Sequence, residues 1–534
     1  MCGITVYITK NNDIIKTSNM MKVLHRGPDS ANMIETEYKD YTLSFVFHRL
    51  AIIDLDNGSQ PFKFEDDNRI VYLVCNGEIY NYLDIINKYN FETKSDCHVI
   101  LDMFLSFGIF RTCKELDGEF AFVLIELNKT QNYMKTYFCR DRFGIRPLFY
   151  YTDNDGIYFS SELKGLPFEG KGQQVEPRNI NLFMESKNKF YIRSLPYYEI
   201  GKNTIKIKYL YNQISETLFK SVSDRLQSER PIGALLSGGL DSSLICGIAS
   251  KLLEKKGQRL NTFTIGMDYD SPDILFARKV SKYINSIHHE IILPVDYWIE
   301  SLENIIKQIE TYDITTIRAS TGQYLISKWI SENTDIKVIL NGDGSDELTS
   351  GYLYFFNTPS EIEAHQENIR LLNEIHNYDV LRVDRGISAF GLESRVPFLS
   401  HHFVDLYLSI DPFLRNPIKN ERSEKYLLRK SFEDMNIIPN DVLFRQKEAF
   451  SDAVSNRQKS WYEYIQEYVE DIISDEELEQ NKDFKTKESY WYYKIFKKHY
   501  PESDLKVKYW LPLWCGEENN GDPSARKLRS LHDD

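Results

Sequence analysis

Cys2 is the first residue of the chain that can act as a nucleophile. A small second residue favours removal of Met1, and the chain would then begin with a residue that carries both a thiol and a free α-amino group. An α-amine titrates near ~7.7–8.0, so around neutral pH part of it is unprotonated and can accept the thiol proton. One residue would then supply both nucleophile and base. For these residues alone, an unreactive cysteine in a first strand over residues 2–9 is the simpler interpretation.

A second chemical feature is the loop Ser237-Gly238-Gly239-Leu240-Asp241-Ser242, which lies between apolar runs at residues 232–236 and 244–249. This pattern predicts a strand, a loop and a helix. Adjacent glycines let N–H groups turn toward a phosphate, serines add hydroxyl donors, and the helix N-terminus adds partial positive charge. The loop lacks the lysine of a GxxxxGK(S/T) loop, which argues against transfer of a γ-phosphate. We expect a phosphate-binding loop, with an ordinary tight turn as the alternative.

Several polar residues among the first 100 are of the types that could bind a small zwitterion. Arg49 can grip a carboxylate, Asp96 can pair with an ammonium, and Asn76 with the Gly77 N–H can hold an oxyanion. The pattern predicts a strand over residues 48–54 and a turn that contains Asn76 and Gly77. Taken singly, a surface arginine, a helix-capping aspartate and a hairpin Asn-Gly are equally good interpretations.

The segment Asn341-Gly342-Asp343-Gly344-Ser345-Asp346-Glu347 places glycines and acids directly after the apolar run at residues 337–340. Carboxylates in such a position suit hard Mg²⁺, which keeps several waters and pairs with phosphate oxygens. An acidic, solvated loop explains this segment equally well when it is taken alone.

Alternating strands and helices surround these two loops. At 534 residues the chain is long enough for two to four domains, and a Gly- and Pro-marked region predicts a boundary near residue 200. The alternation predicts a doubly wound parallel sheet with its ligand at the carboxyl ends of the strands. The four-residue spacing of apolar residues over 210–226 predicts a helix before the first loop. Later predicted elements lie at residues 262–267, 272–284, 290–293 and 296–309.

The composition excludes several classes of protein. A formal net charge of −14 argues against a general polyanion binder, so we expect no nucleic-acid partner. The seven cysteines are scattered without CxxC or Cys/His spacing, which predicts neither a disulfide framework nor a zinc site. No stretch reaches the ~18 apolar residues of a membrane span, and no leader sequence opens the chain. We therefore expect no membrane partner and a cytoplasmic location.

Seven motifs follow in order at residues 2–4, 25–29, 49–52, 76–81, 95–97, 116–122 and 140–148. Together they resemble the glutaminase domain of class II, N-terminal-nucleophile glutamine amidotransferases. The resemblance implies an α+β sandwich with α/β/β/α layers over residues 2–195. It implies Cys2 as nucleophile and Asn76 with Gly77 as the oxyanion hole. The implied contacts to glutamine are Arg49, Leu50, Ala51, Ile52, Ile53, Asn76, Gly77, Glu78 and Asp96.

The loop at 237–242 looks like the pyrophosphate loop of ATP pyrophosphatases. With residues 311–320, 341–347, 351–355, 391–399 and 445–448, it is similar to the glutamine-hydrolysing asparagine synthetases. The resemblance implies an α/β doubly wound parallel-sheet ATP-pyrophosphatase domain over residues 205–534. Asp343 would assist the attack of ammonia, Lys447 would steady phosphate charge, and Asp241 and Asp346 would bind Mg²⁺. The implied ATP contacts are Leu236, Ser237, Gly238, Gly239, Asp241, Ser242, Ile265, Asn341 and Gly342.

The resemblance implies synthesis of asparagine from glutamine, aspartate and ATP. Cys2 would release ammonia from glutamine, and the second domain would form β-aspartyl-AMP and pyrophosphate. Ammonia would then displace AMP after crossing a dry passage between the sites. Members of the family often form homodimers. The alternatives are another ATP-dependent amidotransferase, a β-lactam synthetase-like cyclase, and a non-catalytic sensor of nucleotide or glutamine.

The chain departs from the family pattern at several positions. Asn341 stands where serine is usual, and Asp343 stands where glutamate is usual, one methylene shorter. A misplacement of about an ångström can cost on the order of 100-fold in rate, so the efficiency of the second site is in question. His98 also replaces a glutamate, from which we expect only a local capping change. The remaining departures are Ser400, Ala449 and Ala453.

Overall fold

The computed structural model describes residues 1–11, 17–168, 170–186, 189–415, 423–445, 454–455 and 459–514. The strands in these ranges are β1 Gly3–Thr9, β2 Ser30–Tyr38, β3 Tyr41–Arg49, β4 Phe62–Glu65, β5 Arg69–Ile79, β6 Gly118–Asn128, β7 Tyr133–Arg140, β8 Phe149–Thr152, β9 Gly156–Ser160, β10 Gln173–Gln174, β11 Asn179–Ser186, β12 Lys189–Pro196, β13 Ile232–Leu235, β14 Asn261–Gly266, β15 Ile287–Ile292, β16 Val338–Leu340 and β17 Glu393–Arg395.

The α-helices in the same ranges are numbered α1 to α19 in chain order. They are Thr17–Met20, Tyr82–Tyr89, Val99–Phe107, Ile109–Glu115, Leu210–Asp224, Leu240–Glu254, Pro272–Tyr283, Val295–Ile309, Ile314–Asn333, Ser345–Thr349, Glu361–Glu374, Asp379–Ser388, His401–Leu408, Pro412–Arg415, Tyr426–Phe432, Asn440–Leu443, Trp461–Glu470, Asp475–Glu479 and Lys487–His499. None of these helices is long and apolar enough to cross a membrane.

The first half of the chain is a sandwich of two six-stranded antiparallel sheets. Their strand orders are β10-β8-β9-β1-β3-β2 and β12-β11-β7-β6-β5-β4. Alternate residues of β1, such as Ile4 and Val6, share one buried cluster with Val74 and Val123 of the other sheet. This alternation is what two sheets packed face to face require.

Helices cover the outer faces of this sandwich. Leu73 and Leu124 point away from the inter-sheet core and join a cluster with Ile100 of α3 and Cys113 of α4. On the other side, α1 and short 3₁₀ turns cover Tyr7. The four predicted layers are confirmed, although α1 has only four residues.

The second half contains a five-stranded parallel sheet of order β15-β14-β13-β16-β17. Strand β13 pairs with β14 on one side and with β16 on the other. The connections that follow these strands therefore run in opposite directions along the sheet, which leaves a crevice at the carboxyl end of β13. Helix α6 starts directly after the loop that fills this crevice. The predicted doubly wound parallel sheet is confirmed.

Three local predictions differ from the structure. The predicted strand at 290–293 is β15, which starts at Ile287 because Ile287 pairs with Asn261 of β14. The predicted strand at 48–54 is wrong, since β3 ends at Arg49 and residues 50–54 leave the sheet. The predicted turn at Asn76 and Gly77 is also wrong, since both lie inside β5. The long β5–β6 ladder outweighs the turn preference of Asn-Gly.

Buried ion pairs and hydrogen bonds join the two halves of the chain. Glu119 of β6 accepts hydrogen bonds from Arg225 Nε at 3.0 Å and from the Val396 backbone N at 3.2 Å. Arg146 contacts Glu119 at 3.1 Å and donates to the Ser394 carbonyl at 2.8 Å. Because both side chains of the Arg146–Glu119 pair are fully buried, removing one partner would leave an uncompensated charge. The halves are therefore held in one arrangement by paired charges.

Candidate functional sites

Cys2 precedes β1 at the edge of the interface between the halves. Its backbone N–H donates to Asn76 Oδ1 at 2.9 Å, and its Sγ lies 3.7 Å from the Leu50 carbonyl oxygen. Burial raises the pKa of the thiol to about 11, and the Met1 ammonium offsets only part of this rise. With Met1 attached, the Cys2 nitrogen is an amide, so the thiol has no base of its own.

Met1 is buried between Cys2 and the second half of the chain. Its ammonium lies 3.1 Å from Glu393 Oε2. Its sulfur lies 3.8 Å from Arg26 Nη2 and 3.9 Å from Ser394 Oγ, and only 1% of the residue is exposed. Removal of Met1 would therefore open a space between Cys2 and residues of β17.

Asn76 and Gly77 present polar groups beside Cys2. The Asn76 carboxamide accepts from the Cys2 N–H through Oδ1, while its buried Nδ2 has no hydrogen-bond partner among the described residues. A buried donor without a partner is costly unless a ligand satisfies it. Gly77 permits close packing, because a Cβ there would meet Phe120 Cα at 2.6 Å. The geometry suits an oxyanion next to the thiol.

Arg49 ends β3 and turns into the following loop. Its Nη1 donates to the Leu55 carbonyl at 2.9 Å, and Nη2 donates to the Asp54 carbonyl. A Cβ at Gly58 would lie 2.5 Å from Arg49 Nη2, so glycine leaves room for the guanidinium. The neighbouring residues Leu50 and Ile52 are buried, whereas Ala51 and Ile53 are partly exposed. The loop at 49–53 thus lies between Cys2 and the surface, and hydrogen bonds to backbone carbonyls fix the Arg49 guanidinium.

Two buried carboxylates complete this first site. Asp96 Oδ2 accepts a hydrogen bond from the Ile79 N–H at 2.9 Å, yet burial raises the pKa of Asp96 to about 6. Burial also raises the pKa of Glu78 well above its usual range. The Glu393 and Asp96 carboxylates add to this rise, and Arg395, 3.4 Å away, opposes it. A ligand ammonium would stabilise the charged form of both acids.

His98 lies outside this group of contacts. Its Nδ1 is 3.0 Å from Asp102 Oδ2, and its ring meets the Phe62 ring edge-on at 4.9 Å between centroids. It precedes α3 at the N-cap position without a side-chain capping bond. Whether this departure affects activity stays a prediction.

The second site begins with the loop after β13. Ser237 and Ser242 hold the loop together, with their hydroxyl oxygens 3.0 Å apart and the Ser237 N–H donating to Ser242 Oγ at 3.2 Å. Gly238 has φ +76°, and a Cβ there would lie 2.5 Å from the Ala277 nitrogen. Gly239 precedes α6 and gives its N-terminus no side-chain cap. The first N–H groups of α6 are thus free of a side-chain cap and suit a phosphate.

Lys425 lies between two of the predicted metal-binding acids. Its Nζ is 2.5 Å from Asp241 Oδ2 and 2.6 Å from Asp346 Oδ1, and Ser345 Oγ donates to Asp241 Oδ1 at 2.7 Å. Burial opposes the charge, but the two carboxylates outweigh it and raise the pKa of Lys425. Asp241 and Asp346 therefore converge on one cationic group, the Lys425 ammonium, and their oxygens are of the kind that Mg²⁺ prefers. Sequence reasoning missed Lys425, which follows Asp241 by 184 positions.

Asn341 and Asp343 lie at the carboxyl end of β16. Asn341 Oδ1 accepts from the Asp343 N–H at 3.1 Å, and its Nδ2 is buried without a partner in the described ranges. The Asp343 carboxylate contacts Arg382 Nη2 at 2.6 Å and Gln323 Nε2 at 3.1 Å. Burial raises the pKa of Asp343, and Arg382 opposes this rise. Sequence reasoning also missed Arg382 and Gln323, although Gln323 follows the motif at 311–320 by three residues.

The remaining predicted ATP residues meet at the same crevice. Leu236 and Ile265 are buried at the ends of the neighbouring strands β13 and β14, and the Leu236 N–H donates to the Phe263 carbonyl at 2.8 Å. A Cβ at Gly342 would lie 2.9 Å from the Ser242 nitrogen, so the two loops touch. Lys447, like Ala449 and Ala453, lies outside the described residues.

Strand β17 contacts both sites. The Arg395 guanidinium lies 3.4 Å from Glu78 on the side of Cys2. On the other side, the Arg395 carbonyl accepts a hydrogen bond of 3.1 Å from the Asn341 N–H. One residue therefore joins the Glu78 carboxylate to the loop that carries Asp343.

The fold and the two sites define a two-domain amidotransferase. A family model described as glutamine amidotransferase domain matches residues 1–202, and one described as asparagine synthase matches residues 213–364 and 357–517. Among solved structures, the chain matches that of the allosteric regulatory enzyme of purine biosynthesis. The match covers 55% of this chain and 80% of that one, with 15% sequence identity and a TM-score of 0.31.

Curated relatives identify the family. The glutamine-hydrolysing asparagine synthetases of Homo sapiens and Mus musculus are each 41% identical, over 99% of this chain and 98% of the relative. That of Gallus gallus is 40% identical over 99% of both chains. The chain belongs to the glutamine-hydrolysing asparagine synthetases, which are ligases, and its function is glutamine-dependent synthesis of asparagine.

Proposed function

We propose that residues 2–195 release ammonia from glutamine and that residues 205–534 use it to convert aspartate, activated by ATP, to asparagine. The observation that carries this proposal is the position of β17, whose Arg395 contacts Glu78 at one site and the loop at Asn341 at the other. A strand shared by two sites suits an enzyme in which the second reaction consumes the product of the first.

In the first reaction, removal of Met1 gives Cys2 an α-amine that takes the thiol proton as sulfur attacks the glutamine amide. The Asn76 Nδ2–H and the Gly77 N–H stabilise the oxyanion that forms. Arg49 holds the carboxylate of glutamine, and Asp96 with Glu78 holds its ammonium. The unpartnered Asn76 Nδ2 supports this assignment, because the oxyanion supplies the acceptor that it lacks.

In the second reaction, the loop at 237–242 and the N-terminus of α6 bind the phosphates of ATP. Asp241 and Asp346 would hold Mg²⁺, which would supply positive charge for the phosphate oxygens of ATP when bound. Lys425 balances the two carboxylates and turns its ammonium toward the phosphates when the nucleotide arrives. The contacts of 2.5 and 2.6 Å from Lys425 to these acids support this role.

The aspartyl adenylate then meets ammonia near Asp343. A carboxylate there accepts a proton from the attacking nitrogen, and its raised pKa favours that step. Lys447 steadies phosphate charge, as the resemblance to the family implies. In the first reaction the α-amine returns its proton to the amide nitrogen, the C–N bond breaks to release ammonia and leave a thioester on Cys2, and water then hydrolyses the thioester to glutamate. The ammonia enters the buried space that Met1 vacates, which faces Ser394 of β17 and keeps the nitrogen away from bulk water.

The test measures the N-terminus and the products of one preparation. Mass spectrometry of the purified enzyme is expected to show a chain that begins with Cys2. Mg-ATP, aspartate and glutamine should then yield asparagine, AMP, pyrophosphate and glutamate in equal amounts. Glutamate release without AMP would refute the assignment of the second site. A chain that retains Met1 and still hydrolyses glutamine would refute the assignment of the base.

A homodimer and a cytoplasmic location are further proposals. They rest on the resemblance to the family and on the composition of the sequence. Sedimentation of the purified protein tests the first, and fractionation of the cells that make it tests the second.

A further inference from the structure

Asp117, His401 and His402 form a cluster where the two halves of the chain meet. Asp117 belongs to a motif of the first half that the proposed reactions leave without a role. The two histidines open α13 in the second half. Asp117 and His402 also line a cavity of about 280 Å³ beside the interface, together with Asp84, Asp224 and Gln227.

The distances in this cluster match those between the ligands of a metal ion. Asp117 Oδ1 lies 3.2 Å from His401 Nδ1, and Asp117 Oδ2 lies 3.7 Å from His402 Nε2. One ligand atom from each residue lies within 4.8 Å of the others. Zinc bonds of about 2.0–2.2 Å in a tetrahedron place neighbouring ligand atoms roughly 3.4 Å apart. Small side-chain rotations are therefore enough to form such a site.

The two histidines face the same carboxylate although they are consecutive in a helix. Their ring centroids are only 3.9 Å apart, whereas consecutive side chains of a helix normally diverge. The His401 side chain is 15% exposed and that of His402 is 62% exposed, so the cluster is open to solvent on one side. This leaves an entry path and a position for a water ligand.

The backbone of Asp117 is fixed independently of its carboxylate. The Asp117 N–H donates to Asn81 Oδ1 at 2.9 Å, and its carbonyl accepts from the Tyr80 N–H at 2.7 Å. The backbone that carries the carboxylate is therefore already fixed, the carboxylate accepts a hydrogen bond from His401, and about 10% of the Asp117 side chain is exposed. Such preorganisation lowers the entropy cost of binding an ion.

We propose that Asp117, His401 and His402 bind a first-row transition-metal ion of the zinc class, with water as the fourth ligand. Imidazole nitrogen with one carboxylate suits Zn²⁺ better than the hard, oxygen-preferring Mg²⁺. The carboxylate comes from the first half and both imidazoles from the second, so the ion links the two halves. The site is separate from both proposed reaction centres.

The test measures binding of Zn²⁺ by competition with a chromophoric chelator, and of Co²⁺ by its visible absorption. The protein is the full-length Cys2→Ala variant in excess Mg²⁺, because a free N-terminal cysteine binds transition metals and the acidic loop binds divalent ions. We expect one Zn²⁺ per chain, the spectrum of tetrahedral Co²⁺ and a Tm that rises with Zn²⁺.

Variants of the histidines separate this site from adventitious binding. The double variant His401→Gln/His402→Gln should bind at least about 10-fold more weakly and lose the Zn²⁺-dependent rise in Tm. The matched control is His499→Gln, which removes a partly exposed histidine that contacts Glu303 elsewhere. Equal Zn²⁺ affinity in the double variant and its parent, or a parent that binds no Zn²⁺, would overturn the proposal. Circular dichroism of the metal-free double variant checks its folding.

Discussion

The two sites of this protein differ in how far apart their residues lie along the chain. The groups proposed to bind glutamine come from the first 100 residues and lie in or beside the elements of one sandwich domain. Most groups proposed to act on ATP come from the loops at 237–242 and 341–347 and from Lys425, which is buried between the acids of both loops. A site built from contiguous motifs can be recognised in a sequence, whereas a site completed over a long sequence separation needs the structure.

The sites also differ in how their polar groups are satisfied. Beside Cys2, Asn76 keeps a buried amide N–H without a partner in the described part of the chain. At the second site, Lys425 neutralises Asp241 and Asp346, and Arg382 neutralises Asp343. Among the described residues each site thus offers an open amide donor, Asn76 at the first and Asn341 at the second, and a ligand of the second site must also rearrange the ion pairs of Lys425 and Arg382. Each prediction below tests one side of this contrast.

The largest effect is expected for Lys425→Ala. The change leaves Asp241 and Asp346 without their shared cation and removes positive charge near the phosphates. The rate of AMP and pyrophosphate formation should fall roughly 10³-fold with either nitrogen source, while glutamine hydrolysis persists. Lys430→Ala is the matched control, because Lys430 lies in α15, the helix that follows Lys425, and pairs with Glu433 near the surface. An unchanged AMP rate in Lys425→Ala would contradict the role of this lysine.

Asn76→Ala removes the open donor of the first site. We expect kcat for glutamine hydrolysis to fall roughly 10²-fold or more, since one oxyanion donor is lost. Asparagine synthesis from ammonium should stay near the parent rate. The control is Asn57→Ala, which changes an exposed turn. Loss of the ammonium-dependent reaction as well would point to a structural role for Asn76.

Asp343→Asn tests whether the shortened acid assists the attack of ammonia. We expect asparagine formation to fall roughly 100-fold, while ATP–pyrophosphate exchange driven by aspartate continues because adenylation comes first. Asp379→Asn is the control, since Asp379 also pairs with Arg382 but lies outside the loop at 341–347. If both variants lose activity equally, the charge balance at Arg382 matters rather than a proton transfer by Asp343.

The smallest expected effect is the dependence of the KM for glutamine on pH. Burial holds the pKa of Asp96 at about 6, so below that pH the carboxylate takes up a proton and can no longer pair with the ammonium of glutamine. KM for glutamine should therefore rise as pH falls below about 6, by up to about tenfold per unit. Asp96→Asn should flatten this dependence, and the KM for ammonia as the alternative nitrogen source, expressed as the concentration of unprotonated NH₃, should not follow it. A flat glutamine KM in the parent would exclude Asp96 as the titrating contact.

The sequence predicted most of the fold and many of the candidate site residues. The alternation of strands and helices predicted the parallel sheet, and the family resemblance carried by the ordered motifs implied the sandwich. Local patterns failed where long-range pairing decides the structure, as at Asn76 and Gly77, which the β5–β6 ladder keeps in a strand. Lys425, Arg382 and the Asp117–His401 contact carry no local signal, since each depends on residues brought together only by folding.

Cys2→Ala tests the central claim, that two separate sets of residues carry the two reactions. Asparagine formation is measured with glutamine and with ammonium chloride in parallel, and Cys113→Ala serves as the cysteine control because Cys113 is a buried residue of α4. We predict that Cys2→Ala loses synthesis from glutamine and keeps synthesis from ammonium, and that the control keeps both. Loss of both reactions in Cys2→Ala, or retention of the glutamine reaction, would contradict the account.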